Sequence, residues 1–388
     1  MSRVDALVVG AGPAGSALAA GLARAGARVV LVERGRHPRP KACAEYASPR
    51  IVEELTRIGL TPAAWCGDAV RLGGMQLVAG ARTARIGYAD RHGSRAAWGV
   101  DRRTFDERLA RHAAGCGADL RESTQLVRLT TRARVTGAIL RSSDGTETSV
   151  AADLVIGADG VRSSVARLAG VERPVRFPRR LGLVAHHAGV DALTDHGEMH
   201  VGRGYYVGLA PTPGGELNVG MALPMSGRAT AIERFDAAIA GLPAVAERLT
   251  GSARLTPIRG AAPIGHRVSE VAGPGWLLVG DAAGFVDPFT GEGIHRALRS
   301  ARAAVDAIVA GGDPGPRYRA ERHRAFAAKS TLTWLVQGFL AVPPLFEHAV
   351  ARLDARPAAA LRLGSALGDC VPATSALSPR ALLEVLSP

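Results

Sequence analysis

Two glycine-rich segments, one at the N-terminus and one in the C-terminal half, constrain the fold of this chain most. The first, VDALVVGAGPAGSALAAGLARAGARVVLVER over residues 4–34, predicts a strand, a tight turn, a helix and a second strand. Gly10, Gly12 and Gly15 form G-x-G-x-x-G in the turn, and Glu33 ends the second strand. This spacing is typical of a dinucleotide cradle, where the glycines admit a pyrophosphate and the acid binds a ribose.

The second segment is GWLLVGDAAGFVDPFTGEGIHRALRSA, residues 275–301. It predicts a strand ending at Gly280-Asp281, a loop, and a helix beginning at Gly291-Glu292-Gly293. The pattern resembles the motif that binds the ribityl chain of FAD in flavoprotein reductases and hydroxylases. A surface loop before a glycine helix start would explain this segment alone, but its pairing with the first segment favours FAD.

The net charge of +13 bears on the class of partner. The positive residues are nearly all scattered arginines, and Lys41 and Lys329 are the only lysines. They form no tract of five or six and are not interleaved with aromatic residues, which make up 4% of the chain. We therefore expect no nucleic-acid partner and a mild attraction for phosphate-bearing ligands such as NADPH.

The cysteine and hydropathy patterns bear on metal sites and location. Cys43, Cys66, Cys116 and Cys370 show no C-x-x-C spacing, so we expect neither a metal site nor a disulfide framework. No apolar run approaches transmembrane length, and no signal sequence is recognised. These patterns predict a cytoplasmic protein with reduced thiols, in peripheral contact with a membrane at most. The oligomeric state is left open.

Four segments together carry a family resemblance. GAGPAGSALA, the R-x-x-F-D of Arg102–Asp106, GADGVRSSVAR and GDAAGFVDPFTGEGI resemble the para-hydroxybenzoate hydroxylase superfamily over roughly residues 4–325. K-x-C-(G/A)-(E/D), matched at Lys41–Glu45, and P-x-T-G-E-G, matched at Pro288–Gly293, are similar to its geranylgeranyl reductase-like branch. The resemblance implies non-covalent FAD, NADPH or NADH as a transient reductant, and a hydrophobic small-molecule substrate whose C=C bond is reduced.

Departures from the family patterns keep other reactions open. Gly284 and Asp287 stand where aromatic hydroxylases usually carry His and Pro, and the paired tryptophans of flavin halogenases are absent. Residues 206–211 read Y-V-G-L-A-P where geranylgeranyl reductases have a more aromatic strand. The alternatives are an FAD-dependent monooxygenase (hydroxylase or epoxidase) of secondary metabolism, then a halogenase or a non-catalytic flavin-binding protein.

The order of predicted elements gives an α/β fold with three parts. We expect a discontinuous Rossmann-like FAD-binding domain from residues 1–70, 101–172 and 260–325. An antiparallel β-sheet substrate domain, residues 71–100 and 173–259, is interleaved with it. A C-terminal helical segment follows over 326–388. Its apolar stretch at 331–350 can cover a substrate tunnel, rest on a membrane or pack as core.

The resemblance implies a set of residues around FAD. Asp281 is expected to accept a ribityl hydroxyl, and the helix-start amides after Gly291 to stabilise the reduced ring. Arg102 either contacts FAD or forms a surface ion pair with Asp106. The expected cofactor-binding residues are Gly10, Gly12, Pro13, Ala14, Gly15, Glu33, Arg34, Arg102, Asp159, Asp281, Pro288, Gly291, Gly293 and Ile294.

Three residues are candidates for catalysis. Cys43 is either a thiol near the substrate that donates a proton or a packed small side chain. Glu45 is either a proton donor or a residue of the helix entry. Tyr206 follows another tyrosine on a predicted strand, so one of the pair faces the flavin cavity. We expect structural roles for His186, His187 and His295.

Overall fold

The computed structural model of the protein describes residues 3–191 and 193–387. Met1, Ser2, Ala192 and Pro388 lie outside the described residues. The predicted FAD-binding, substrate and C-terminal segments each include at least one of these four positions.

Helices are concentrated in the first third and the last quarter of the chain. Within the described residues, α1 to α12 are Pro13–Arg24, Ile51–Arg57, Pro62–Trp65, Arg102–Gly115, Ser164–Leu168, Ala231–Ala240, Pro243–Arg248, Gly293–Val309, Pro314–Ala341, Pro343–Ala355, Pro357–Leu367 and Pro379–Leu386. Proline opens seven of them, at the position where its missing N–H costs no hydrogen bond.

Strands fill the intervening chain. From β1 to β22 they are Val4–Val9, Val29–Val32, Tyr46–Ala47, Val70–Leu72, Gly74–Ala79, Arg82–Asp90, Gly93–Arg95, Ala97–Gly99, Asp119–Arg121, Thr124–Thr131, Val135–Ser142, Glu147–Gly157, Glu172–Arg173, Arg180–Ala188, Gly197–Val201, Tyr206–Thr212, Glu216–Pro224, Ala253–Arg254, Arg259–Ala261, Arg267–Val268, Ala272–Gly273 and Trp276–Leu278.

The first large sheet has eight strands, with the central order β10-β11-β12-β1-β2-β9. Strand β22 adds to β12, and β1 pairs in parallel with both β12 and β2. The apolar residues of β1 and β2 are buried on both faces, under α1, α4 and α8 on one side and under β11, β12 and α5 on the other. This is why the two strands read as continuous hydrophobic runs. Because β1, β12 and β22 are parallel, Gly10, Asp159 and Asp281 follow strand ends at one edge of the sheet.

The second large sheet has nine strands, ordered β18-β14-β17-β16-β15-β5-β6-β7, with β19 beside β14. Its pairs are antiparallel except β15 with β5. One face packs under α6 and α7, around the buried Phe235 and Val245. The other face carries small residues. Gly220 lies close to Ala44 there, since a Cβ at Gly220 would be 3.3 Å from the Ala44 Cβ. The predicted α/β fold with an interleaved antiparallel sheet is confirmed.

The C-terminal helices bind the two sheets together. Helix α9 packs on α8, while α10 and α11 pack on β6 of the second sheet. A Cβ at Gly364 would lie 2.2 Å from the Gly87 carbonyl oxygen, so α11 approaches that strand very closely. No single described helix is long and apolar enough to cross a membrane, although α9 and α10, bent by 115°, satisfy the length and composition together.

Candidate functional site: a flavin cradle beside a buried cysteine–arginine network

The three glycines of the first motif differ in whether protein atoms fill the space where a Cβ would lie. Gly10 has a φ of +102°, and a Cβ there would lie 2.6 Å from the Ala158 carbonyl oxygen. A Cβ at Gly15 would lie 1.8 Å from the Gly10 carbonyl oxygen. A Cβ at Gly12 would instead have the Arg39 guanidinium, 3.8 Å away, as its nearest neighbour. Gly10 and Gly15 are therefore required by packing, whereas Gly12 keeps space open in front of helix α1.

The open space is bordered by helix-start amides and by a buried carboxylate, groups that could hold a pyrophosphate and a ribose. Helix α1 begins at Pro13 with no side-chain cap, and Ala14 follows in its first turn, so its N-terminal amides face the space. The buried Glu33 carboxylate accepts hydrogen bonds of 3.0 Å from the Ala11 and Gly35 amides. Arg34, also expected near the cofactor, is exposed.

The second motif lies directly against the first. A Cβ at Gly280 would be 2.9 Å from the Ala14 Cβ, so the turn after β22 contacts the start of α1. The carboxylate of Asp281 has no hydrogen bond or ion pair with any described residue. Gly293 and Ile294 begin α8 without a side-chain cap. An open cradle, an unpaired acceptor and two uncapped helix starts fit the pyrophosphate and ribityl chain of FAD.

Asp159 closes the sheet edge beside Gly10. Its carboxylate accepts 2.6 Å hydrogen bonds from the Ser163 hydroxyl and the Ser164 amide at the start of α5. Burial raises the pKa of Asp159. The carboxylate thus holds α5 against the cradle.

The loop before α8 is braced from the second sheet. Pro288 begins a 3-10 turn, and the buried Asp287 carboxylate accepts a 2.6 Å hydrogen bond from the Tyr206 hydroxyl and pairs with Arg180. The Tyr206 ring packs edge-on against Phe289, with centroids 5.1 Å apart. Burial raises the pKa of Tyr206 well above its usual range. The structure thus gives Tyr206 a bracing position, and its catalytic role stays a prediction.

The segment carrying Cys43 and Glu45 contacts the start of α4. Glu45 has a φ of +56°, which is rare for a residue with a side chain. Its Oε1 accepts a 3.0 Å hydrogen bond from the Arg102 amide. Cys43 Sγ lies 3.2 Å from Arg102 Nη1 and 3.3 Å from the Glu45 amide, both of which donate to it. Tyr46, next in the chain, packs on Gly291, where a Cβ would meet its ring at 2.9 Å. The Cys43 segment is therefore held between α4 and the start of α8.

Arg102 and Asp106 form a two-point ion pair. The distances are 2.8 Å from Nε to Oδ1 and 2.9 Å from Nη2 to Oδ2. The expected ion pair with Asp106 is therefore present, but it is buried rather than at the surface, because α1 and the Cys43 segment cover this end of α4. Burial opposes both charges, yet Asp106 raises the pKa of Arg102, and Arg102 holds the pKa of Asp106 below its usual value.

Arg39 extends this network to the cradle. Its Nη2 lies 3.1 Å from Glu33 Oε2 and 3.9 Å from Asp106 Oδ2. A row of alternating charges therefore runs from Glu33 to Arg102. Lys41 is exposed at the rim, and its charge also favours ionised Asp106.

Two residues of the second sheet complete the network, and sequence reasoning missed their place in it. His186 Nε2 lies 2.6 Å from Glu45 Oε2, and Asn218 Nδ2 donates to the same oxygen at 3.1 Å. The hydrogen bond with Glu45 raises the pKa of His186. Asn218 Oδ1 is buried with no partner among the described residues. His187 lies on the opposite face and stacks on Phe235, as expected for a structural residue.

A second buried charge cluster fixes the N-terminus of α8 to the C-terminal helices. Lys329 Nζ lies 3.3 Å from Glu292 Oε2 and donates to Asp369 Oδ1 at 2.9 Å. His295 Nδ1 lies 2.9 Å from Asp369 Oδ2. Although burial opposes it, Asp369 and Glu292 raise the pKa of Lys329. The sequence analysis did not single out Lys329 for a role; the rarity of lysine in this chain is the signal that could have done so.

Comparison with known proteins agrees with this geometry. Residues 3–311 match the FAD binding domain family, to which this chain belongs. Menaquinone reductase of Mycolicibacterium smegmatis is 34% identical over 333 residues, covering 80% of this chain and 78% of the relative. Digeranylgeranylglycerophospholipid reductase of Methanosarcina mazei is 33% identical over 324 residues, covering 80% and 77%.

The fold also occurs among solved structures. A geranylgeranyl bacteriochlorophyll reductase-like protein from Thermoplasma acidophilum superposes with a TM-score of 0.82 at 23% identity, over 100% of both chains. The predicted family resemblance is confirmed, and the chain is an FAD-dependent oxidoreductase. The reductase interpretation is favoured over the monooxygenase alternative.

Proposed function

We propose that this protein takes electrons from NADPH or NADH and reduces a C=C bond in the isoprenoid chain of a membrane lipid. The observation that carries the proposal is the Cys43–Arg102–Glu45–His186 network beside the flavin cradle. The names of the relatives supply the substrate class, because one acts on menaquinone and the other on a digeranylgeranyl lipid.

In this proposal the first sheet and its helices hold FAD. Gly12 and the start of α1 take the pyrophosphate, Glu33 a ribose and Asp281 the ribityl chain. The amides of Gly293 and Ile294 face the flavin ring. Bound FAD supplies hydride transfer between the nicotinamide and the substrate carbon. We assign residues 1–70, 101–172 and 260–325 to this domain and 71–100 and 173–259 to the substrate domain.

Reduction of a C=C bond needs a proton as well as a hydride, and Cys43 is the proposed donor. The Arg102 guanidinium, 3.2 Å from Cys43 Sγ, stabilises the negative charge that remains on sulfur after the proton leaves. Glu45 fixes the loop through Arg102 and His186. The His186 side chain is 19% exposed, so it can exchange protons with solvent.

The second sheet is apolar on the side that faces the Cys43 segment. Gly182 on β14, Gly208 on β16 and Gly220 on β17 let Ile264, Met199 and Ala44, respectively, pack closely on this side. An apolar surface of this kind suits an isoprenoid, which has no hydrogen-bonding groups. We further propose that NAD(P)H binds transiently at the cavity mouth and that the protein contacts the membrane peripherally.

The test is anaerobic turnover of FAD-loaded protein with NADPH or NADH. Detergent-solubilised menaquinone and a digeranylgeranyl phospholipid are the two substrates. We expect a product with two added hydrogens in its isoprenoid chain from at least one of them, with one NAD(P)H consumed per bond reduced. Product that appears only with oxygen, in step with oxygen uptake, would refute the proposal.

A further inference from the structure

A short two-stranded ladder places two arginines directly opposite each other. Strands β13 and β20 are antiparallel, with Arg173 paired to Arg267 and Glu172 paired to Val268. Like charges opposite one another destabilise a ladder. Among the described residues, Arg173 donates only to the Gly170 and Glu172 carbonyl oxygens, and none of their carboxylates relieves the repulsion.

A third arginine joins them around a groove. Arg173, Arg176 and Arg267, with Pro174, Val268 and Ser269, line a cavity of about 350 Å³. All three arginines are exposed, and none has an ion-pair partner among the described residues. Glu172 is the adjacent acid, and it is exposed opposite Val268 rather than opposite an arginine. The groove is therefore a concentration of uncompensated positive charge.

Two large aromatic side chains stand beside this groove at the surface. Phe177 follows Arg176 and is 55% exposed, and Trp334 on α9 is 46% exposed. The rings stack with centroids 6.5 Å apart and an interplanar angle of 26°. Exposed, stacked aromatic rings next to basic side chains are typical of a membrane–water interface.

Helix α9 continues the apolar surface. Residues 330–346, STLTWLVQGFLAVPPLF, contain no charged side chain. Gly338, Ala341 and Val342 are exposed at helical spacing from Trp334, and Val342 is 48% exposed. This face has room for contact with acyl chains while the arginines remain at the level of phosphate groups.

We propose that this surface, formed by Arg173, Arg176, Phe177, Arg267 and the exposed end of α9 around Trp334, docks on an anionic phospholipid bilayer. The three uncompensated arginines favour binding to lipid phosphates. The aromatic pair favours a bilayer over a soluble anion as the ligand of this surface. The proposal rests on the proposed lipid substrate.

Docking in this orientation brings the flavin cavity to the bilayer. A Cβ at Gly265 would lie 3.2 Å from the Val175 side chain and 3.3 Å from the Val286 carbonyl oxygen. The arginine-bearing loop is thus packed against the residues that lead into Pro288. A lipid substrate can then enter the cavity from the membrane without crossing water.

The test is flotation of FAD-loaded protein with vesicles of phosphatidylcholine alone or with 30% phosphatidylglycerol added. We expect binding to the anionic vesicles that falls at high salt. Arg173→Glu/Arg267→Glu should bind at least about tenfold more weakly, since each arginine near an anionic surface contributes about fivefold. Phe177→Ser/Trp334→Ser should also weaken binding.

Matched controls distinguish an effect of the proposed docking surface from a general effect of net charge or of exposed apolar side chains. Arg128→Glu/Arg132→Glu makes the same charge change at an exposed hairpin of the first sheet, and Leu383→Ser removes an exposed apolar side chain elsewhere. Both should bind vesicles like the parent. Equal losses in the controls, or no vesicle binding by the parent, would overturn the docking proposal.

Two further measurements distinguish membrane docking from a nucleotide-binding site and from the proposed lipid substrate. A rise in KM for NADPH in Arg173→Glu/Arg267→Glu, with vesicle binding unchanged, would show a nucleotide-phosphate site instead. Turnover of detergent-solubilised menaquinone should be unchanged in all four variants. If the parent protein binds anionic vesicles but turns over neither menaquinone nor the digeranylgeranyl lipid, the proposed substrate is wrong and the docking proposal is retained.

Discussion

The flavin cradle and the Cys43 network lie side by side but are built in different ways. The cradle is made of backbone: glycines that allow close approach, amides at helix starts and the ends of parallel strands. The Cys43 network is made of side chains from four distant parts of the chain, represented by Cys43, Arg102, His186 and Asn218.

Because of this difference, cofactor binding and the choice of reaction depend on different parts of the molecule. A backbone site depends on local sequence and keeps its shape in any chain with that spacing. A side-chain network depends on the tertiary fold, so one fold can hold the same cofactor and carry out different reactions. Substitutions in the cradle should therefore abolish cofactor binding, whereas those in the network should change chemistry or stability.

The largest expected effect is in the cradle, at Gly12. Gly12→Val should leave the fold intact, because the position faces open space, but should eliminate bound FAD by filling the pyrophosphate space. The measurements are flavin absorbance of the purified protein and thermal unfolding of the apoprotein. Gly15→Val should instead unfold the protein, since its Cβ would clash with the Gly10 carbonyl. A Gly12→Val protein that purifies yellow would contradict the cradle assignment.

The next effect is chemical and falls on Cys43. Cys43→Ala should slow product formation by about 10²–10⁴-fold while FAD reduction by NAD(P)H is unchanged, because proton donation follows reduction. Stopped-flow absorbance measures the reduction, and mass spectrometry measures the product. Cys116→Ala, at a partly buried cysteine at the opposite end of α4 from Arg102, is the control. Full product formation in Cys43→Ala would make Cys43 a packing residue.

The two lysines give a matched pair for stability. Lys329→Met leaves Glu292 and Asp369 buried without their cation and should lower the free energy of unfolding by about 3 kcal/mol. Lys41→Met, at an exposed position, should change it by less than about 0.5 kcal/mol. Urea unfolding of the two variants measures both values. Similar losses would mean that the buried cluster does not fasten the C-terminal helices to α8.

The smallest effect is the pH dependence contributed by His186. Its pKa is raised by Glu45, so its pairing stabilises the fold fully below the ordinary value of 6.5 and less as pH rises through the raised pKa. His186→Gln should therefore be less stable than the parent at acid pH, and the gap should close at alkaline pH. Thermal unfolding across this range tests it. A gap that widens with pH would show that His186 pairs in its neutral form.

Much of the fold could be predicted because its signals are local. The two glycine motifs, the Asp144-Gly145 hairpin and the Pro213–Gly215 turn each lie within a few residues of the elements they join. The prolines at 343 and 357 mark helix starts for the same reason. Such signals predicted the discontinuous first sheet and the separate antiparallel sheet.

The network could be predicted only in part. The K-x-C-x-E pattern pointed to Cys43 and Glu45, but nothing in the sequence joins them to His186 and Asn218. These two residues are opposite each other in the β14–β17 register, which only the folded sheet defines. Tyr206 was singled out by its position on a strand, and its partner Asp287 comes from a loop 81 residues away.

Reduction of an isoprenoid C=C bond by the bound flavin is tested most directly in a single turnover without oxygen. In this experiment FAD-loaded protein is reduced by one equivalent of NAD(P)H and mixed with detergent-solubilised menaquinone. We predict that the absorbance of oxidised flavin returns while a product with two added hydrogens in its side chain forms. One product molecule should form per flavin. Flavin that stays reduced until oxygen is admitted, with the menaquinone side chain unchanged, would contradict isoprenoid reduction for menaquinone. The same result with the digeranylgeranyl lipid would contradict isoprenoid reduction altogether.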